Sequence, residues 1–178
     1  VVSGTLMTEQ IVFGQPPRIR IPDGFDWPRF WAHYVRVMKR CTQIARDNGV
    51  QLLVEPRVGE LTSNSEALLR LLDAVADDHL GVILDTAHQH AQKELLPLSI
   101  EKLGRHIRYV HVADNDGTVN RHFEPGTGNI DWEELFRALK RQGFDGYCAV
   151  DLEQLPDLEG CFVRGKQFLE AYAEKLGL

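Results

Sequence analysis

Short apolar runs that end in an acid or a histidine recur along this chain, and amphipathic stretches fill the intervals between them. Glu55 closes Leu52-Leu53-Val54. Asp85 closes Val82-Ile83-Leu84, with His88 in the next turn. His111 sits within Tyr109-Val110-His111-Val112, and Asp151 and Glu153 follow Cys148-Ala149-Val150. Strands separated by helices require a parallel sheet with crossover helices, either closed as a barrel or open and doubly wound. No glycine-rich phosphate fingerprint opens the helices, which favours the barrel. In a βα barrel the carboxyl ends of the strands share one mouth, so these acids and imidazoles gather there. Oxygen donors with one nitrogen suit a divalent metal ion, and the chain reads as a metal-dependent enzyme.

Val1 to Leu6 reads as a first strand and Thr8 to Gly24 as an irregular loop, given Pro16-Pro17 and Pro22-Asp23-Gly24. Asp26 caps a helix with Pro28 in its first turn, running to about Asp47 and stopped near Gly49. Its apolar stripe is read as Phe30, Tyr34, Val37, Met38, Cys41 and Ile44. Gln51–Glu55 is the next strand. Ser63 and Glu66 have capping-box spacing ahead of a helix carrying Leu68, Leu69, Leu72 and Val75. Gly81–Asp85 is a strand, 99–103 helical, and Ile107–Val112 a strand followed by a polar loop over 114–129. Asp131-Trp132-Glu133-Glu134 opens a helix ending at Gly143, and Tyr147–Leu152 is the last strand. A final helix over 159–176 buries Phe162, Phe168, Leu169 and Tyr172.

At 178 residues and 43% apolar content the chain is the size of one domain with one core. Its formal charge of −6 gives no overall attraction for a phosphate backbone, so nucleic acid is disfavoured as a partner. Cys41, Cys148 and Cys161 form no metal-type pair and read as reduced thiols of a cytoplasmic protein. No run reaches the roughly 18 apolar residues that span a bilayer, and no membrane role is expected. The chain opens at Val1-Val2-Ser3-Gly4 in what reads as a strand already under way.

Taken in order, Leu53-Val54-Glu55-Pro56, Leu84-Asp85-Thr86-Ala87-His88, Val110-His111-Val112-Ala113-Asp114, the stretch from Pro125-Gly126-Thr127-Gly128 to Trp132, and Phe144-Asp145-Gly146 with Val150-Asp151-Leu152-Glu153 carry a resemblance. They resemble the xylose isomerase-like barrel superfamily: sugar phosphate isomerases and epimerases, inosose dehydratases, and apurinic endonucleases of the endonuclease IV type. The resemblance covers nearly the whole chain. It implies an α/β fold, a TIM-type barrel of about six of the usual eight βα units, lacking the first two. It also implies one domain over residues 1–178.

The resemblance further implies one divalent ion, most often Mn2+ with Mg2+, Co2+ and Zn2+ as alternatives, held by Glu55, Asp85, His111 and a last acid. Asp151 has the family's spacing from Gly146, although the family more often has Glu there. Glu153 shares its face, because strand residues two apart do, so either is the last ligand. A metal chelating adjacent carbonyl and hydroxyl oxygens of a sugar stabilises a cis-enediolate as the neighbouring C–H proton leaves. Glu55 and the last acid, Asp151 or Glu153, are then the pair that removes and returns the proton. His88, Arg121 and His122 are the candidates for holding substrate oxygens or an acidic group.

These residues also have plainer readings. Asp85 can cap a helix while coordinating, and Asp114 can be an ordinary loop residue. His33, His79, His90 and His106 read as surface residues, and Gly126-x-Gly128 as a tight turn rather than a phosphate cradle. The expected function is a metal-dependent sugar isomerase or epimerase acting on a sugar, sugar phosphate or inosose. An inosose dehydratase-like lyase is the alternative, prompted by Val150-Asp151-Leu152-Glu153-Gln154. The three-metal endonuclease would need more histidines and an Asp-x-His pair, where this chain has Ser3 and Asn120-Arg121-His122. An incomplete barrel exposes strand edges, which predicts a homo-oligomer, or else a binding protein without turnover.

Overall fold

The computed structural model describes residues 1–3, 8–10, 18–19, 21–153 and 155–177. Strands β1 (Val2–Ser3), β2 (Thr8–Gln10) and β3 (Arg18–Ile19) precede helix α1 (Trp27–Asp47). Strand and helix then alternate: β4 (Leu52–Glu55), α2 (Ser65–Val75), β5 (Leu80–Asp85), α3 (Thr86–Ala91), α4 (Leu96–Leu103), β6 (Ile107–Val112), α5 (Trp132–Arg141), β7 (Tyr147–Val150) and α6 (Leu158–Leu176). A single 3-10 turn, Gly104–His106, leads into β6. The sheet runs in the order β1-β4-β5-β6-β7 with every neighbouring pair parallel. From β4 onward each strand lies beside the next in sequence, as in an arc of a βα barrel, the fold expected.

The central strand is buried along its whole length. Every residue of β5 is shielded from solvent, because helices cover one face and the barrel interior the other. Val54, Val82, Leu84, Val110 and Val112 face the helices and pack with Leu68, Leu71, Ile100, Leu103, Leu135 and Leu139. The alternate residues Glu55, Asp85 and His111 therefore face inward. Register sets Asp85 beside His111, and His111 beside Ala149 of β7.

Several local expectations need correction. Within the stretch read as an irregular loop, β2 and β3 form an antiparallel pair, Thr8 opposite Ile19 and Gln10 opposite Arg18. Their short sequences, Thr-Glu-Gln and Arg-Ile, carry no alternation from which to infer a strand. Of the strand expected over Val1–Leu6, Val2–Ser3 is seen, and residues 4–7 lie outside the described residues, as does Gln154. Helix α1 is capped by Asp26, whose carboxylate accepts the Arg29 N–H at 3.0 Å. Its buried stripe runs through Met38, Thr42 and Ala45, with Trp31, Tyr34 and Val35 against the core. Val37 and Ile44 are exposed and Cys41 half-buried, since a helix turns about 100° per residue and these positions fall off that face.

Helix α2 is capped by Asn64, which accepts the Ala67 N–H at 2.9 Å, rather than by Ser63. On α6, Cys161 and Gly165 are buried and Phe168, Leu169 and Tyr172 pack on the core, whereas Phe162 is exposed. The three cysteines are free thiols. Among the described residues no helix is long and apolar enough to cross a membrane.

Candidate metal centre

Four side chains from four strands meet at the carboxyl end of the sheet. Glu55 and Asp85 are the last residues of β4 and β5, and His111 lies near the end of β6. Asp151 follows β7, where its N–H donates to the Val112 carbonyl at 3.0 Å and holds it in place. One donor atom from each lies within 4.8 Å of all the others. His111 Nδ1 is 2.6 Å from Glu55 Oε1, 3.5 Å from Asp151 Oδ2 and 3.6 Å from Asp85 Oδ2. Glu153 is half-buried and outside this group. Pairing ends at Val150, so the two-residue alternation that placed Glu153 beside Asp151 does not continue that far.

Asp85 divides its oxygens between two tasks. Oδ1 accepts the His88 N–H at 2.8 Å and caps α3, while Oδ2 is buried without an aligned hydrogen bond and faces the centre. His111 Nδ1 is likewise buried and close to three carboxylates, yet aligned with none. Three carboxylate oxygens and an imidazole nitrogen aimed at one point form a donor set that fits a small divalent cation. Without a cation the carboxylates must be balanced by protons. Burial alone would lower the His111 pKa, but the Asp85 and Glu55 carboxylates overcome this and push it up to about 10. Asp85 runs the other way. Burial would raise its pKa, and the imidazoles of His88, His111 and His122 together hold it below the ordinary carboxylate value.

Behind this centre lies a second group, Asp85, His88 and His122, in which Asp85 is shared. The two rings meet edge to face with centroids 4.9 Å apart. Burial holds His88 below its ordinary pKa, despite the attraction of Asp85, and its Nδ1 is buried with no hydrogen-bond partner among the described residues. For His122 burial is outweighed by Asp151, which raises its pKa to about 9. His122 Nδ1 lies 3.0 Å from the Asp151 carbonyl oxygen and 3.4 Å from Oδ2. One imidazole is thus held neutral and its neighbour charged. Asp151 in turn is held below its ordinary value, chiefly by His122.

The loop after β6 is organised by Asp114. Its buried carboxylate accepts the N–H groups of Asn115 (2.9 Å), Gly126 (2.9 Å) and Ile130 (3.3 Å) and the Trp132 indole N–H (2.8 Å). Asp114 also pairs with Phe123 through both backbone hydrogen bonds, which fixes the adjacent His122. Gly128 is needed here, because a Cβ would collide with Asp114 Oδ1 and the Asn115 carbonyl oxygen. Gly126, at φ 87°, makes the tight turn expected of the glycine pair. Thr86 Oγ donates to the Ala113 carbonyl at 2.6 Å, and the Asn115 amide donates to the Ala87 carbonyl at 2.8 Å, tying the loop to α3.

Of the remaining candidates, His88 and His122 are brought to the centre and Arg121 is not. Arg121 is exposed on the loop, where its charge acts on Asp116. His33 and His79 are exposed, whereas His90 is half-buried with Nε2 2.6 Å from Asn129 Oδ1. Arg57 was missed: its Nε is 4.0 Å from Glu55 Oε2. The available signal was its spacing, two residues beyond Glu55 across Pro56, on the same side of an extended chain.

Comparison with known proteins agrees with this arrangement. The fructoselysine 3-epimerase of Escherichia coli O157:H7 is 28% identical over 125 residues, covering 68% of this chain and 46% of that protein. The inosose dehydratase of Lacticaseibacillus casei is 26% identical over 171 residues, 82% of this chain and 57% of that enzyme. A crystal structure of a D-tagatose 3-epimerase-like protein superposes with a TM-score of 0.74 at 25% identity, over 88% of this chain and 60% of the other. This chain spans about half the length of the curated relatives it matches. Residues 6–172 match the family described as xylose isomerase-like TIM barrel, so the convergent acids, the parallel arc and the sequence agree: this chain belongs to that family.

Proposed function

We propose that this chain carries the cation site and the acid–base pair of a ketose epimerase or isomerase. The observation that carries the reading is the convergence of Glu55, Asp85, His111 and Asp151 from four strands, in relatives of epimerases. The donor set favours Mn2+ or Mg2+ through its oxygens, and its single nitrogen tips the choice to Mn2+. Bound there, the ion would supply positive charge against the oxygens of a sugar as its C–H proton leaves. Glu55 ends β4 and Asp151 follows β7, both beside that point. One carboxylate removes the proton next to the carbonyl, and the other returns a proton from the opposite face, which inverts the carbon. Return to the neighbouring carbon instead gives the isomer. His122, charged at neutral pH, donates to a substrate oxygen, and neutral His88 accepts from a hydroxyl.

The test is direct. Purified protein loaded with Mn2+ is incubated in heavy water with D-tagatose, D-fructose and D-ribulose, and NMR follows exchange at the carbons flanking the carbonyl. Epimer or isomer carrying solvent deuterium is the expected result, and no exchange with any ketose would overturn the reading. The long match to an inosose dehydratase supports a second reading, in which loss of a β-hydroxyl follows the same proton abstraction. An unsaturated product from an inosose, in place of an isomer from a ketose, would select it.

Cation binding is expected to tighten as pH rises. His111 can donate its lone pair only after losing the proton that the carboxylates hold up to about 10, so ion and proton compete. Affinity then rises about tenfold per pH unit between neutrality and pH 9, with about one proton released per ion. The sign is the same in the metal-free fold. The His111 ion pairs contribute stability fully below the unfolded imidazole pKa and lose it as pH climbs through about 10. Calorimetric titration of Mn2+ in buffers of different ionisation heat measures the proton count. An affinity flat across this range would take His111 out of the coordinating set.

A further inference from the structure

We infer that Arg57 selects for a substrate bearing an anionic group, a phosphate or carboxylate, on the part of the sugar beyond the reacting carbons. This rests on the ketose reading above and adds the substrate class to it. Glu55, Asp85 and Asp151 bring three carboxylates, which a divalent ion and the neighbouring His122 would be taken up in offsetting, so the centre has no positive charge to spare for a second anion. An anionic group on the substrate therefore needs a fixed cation of its own at the rim. Arg57 stands there. Its side chain is one third exposed beside Glu55, itself only 13% exposed, and its charge reaches His88 on the neighbouring βα unit.

The guanidinium is not committed to Glu55. Nε lies 4.0 Å from Oε2, outside hydrogen-bond distance, and the paired fork of a strong arginine–carboxylate contact is missing. Among the described residues no acceptor engages the two terminal nitrogens, so their N–H groups are available to an incoming oxyanion. Arg121, the other arginine expected to meet an acidic group, is exposed and faces Asp116 on the outer loop. Arg57 therefore orients an anion at the mouth while the metal-binding side chains hold the reacting end.

Mn2+-loaded protein is compared on two pairs of substrates, D-ribulose 5-phosphate against D-ribulose and D-fructuronate against D-fructose, one for each source of the anion. The native protein is expected to favour the charged member of at least one pair by ten-fold or more in kcat/KM, about the effect of one charge-assisted contact. Arg57→Met should cut that preference by about 10- to 100-fold, mainly through KM, while the loss on the neutral ketose is at least tenfold smaller. Arg57→Lys, which keeps the charge without the fork, should restore part of it. Equal losses on charged and neutral ketoses would make Arg57 a positioning residue for Glu55 and overturn the inference. So would an unchanged or absent preference in protein that turns over neutral ketoses. Failure to bind Mn2+ or to turn over any ketose would instead overturn the functional reading beneath it. Matching thermal unfolding of the three proteins verifies that folding is not what is being read.

Discussion

Glu55→Gln in Mn2+-loaded protein is expected to lower ketose turnover by about 10²–10⁴-fold, the usual worth of a positioned general base. Gln keeps the shape of the side chain and one coordinating oxygen but cannot accept a proton from carbon. The change also removes one negative charge from the group around His111, so His111 should lose its proton more readily and its pKa should fall from about 10. Deuterium exchange into substrate reads the proton step, and calorimetric titration of Mn2+ reads the site. Asp151→Asn should impair the opposite half of the reaction, so the two variants differ in which epimer they still partly exchange. Turnover by Glu55→Gln within a few-fold of the native protein would remove Glu55 from the chemistry.

Asp114→Ala should cost about 3–5 kcal/mol of folding stability, large for a residue that touches no substrate. The Trp132 indole and the amides of Asn115 and Ile130 would be buried without their acceptor, and each such orphan carries a desolvation cost of about 1–3 kcal/mol. Asp114→Asn retains an acceptor oxygen and should lose roughly half as much. Urea unfolding measures both, as a shift in midpoint at constant slope. Because the Asp114–Phe123 pairing sets His122, the variants should also weaken the hold of His122 on Asp151. A loss below about 0.5 kcal/mol, the range of an ordinary surface change, would show that the loop does not depend on this carboxylate.

The parts of this molecule legible in the sequence are those governed by one local rule. Strand β6 shows as a mostly apolar run ending around a histidine, and Asp26 and Asp131 announce their helices because a cap needs only one side chain in one place. Glu55, Asp85 and His111 could be proposed as partners because parallel strands point their ends the same way. Where two rules compete, the sequence is silent. Ser63 and Asn64 are both good caps, and backbone geometry chose the second. Asp151 and Glu153 share a face only while the strand lasts, and it ends at Val150. Asp114 reads in sequence as an ordinary loop residue, and its four donors come from positions up to Trp132 that only the folded loop assembles. The β2–β3 pair had no apolar pattern to reveal it.

The divided carboxylate of Asp85 has one more consequence. A single side chain both starts a helix and faces the candidate cation position, so the first turn of α3 and the filling of that centre by a cation would share a free energy. Whatever pulls on Oδ2 is felt at the His88 amide through Oδ1, and fraying of that turn would loosen the hold on a bound cation by the same amount. Ligand hold and local secondary structure are here one equilibrium observed from two ends.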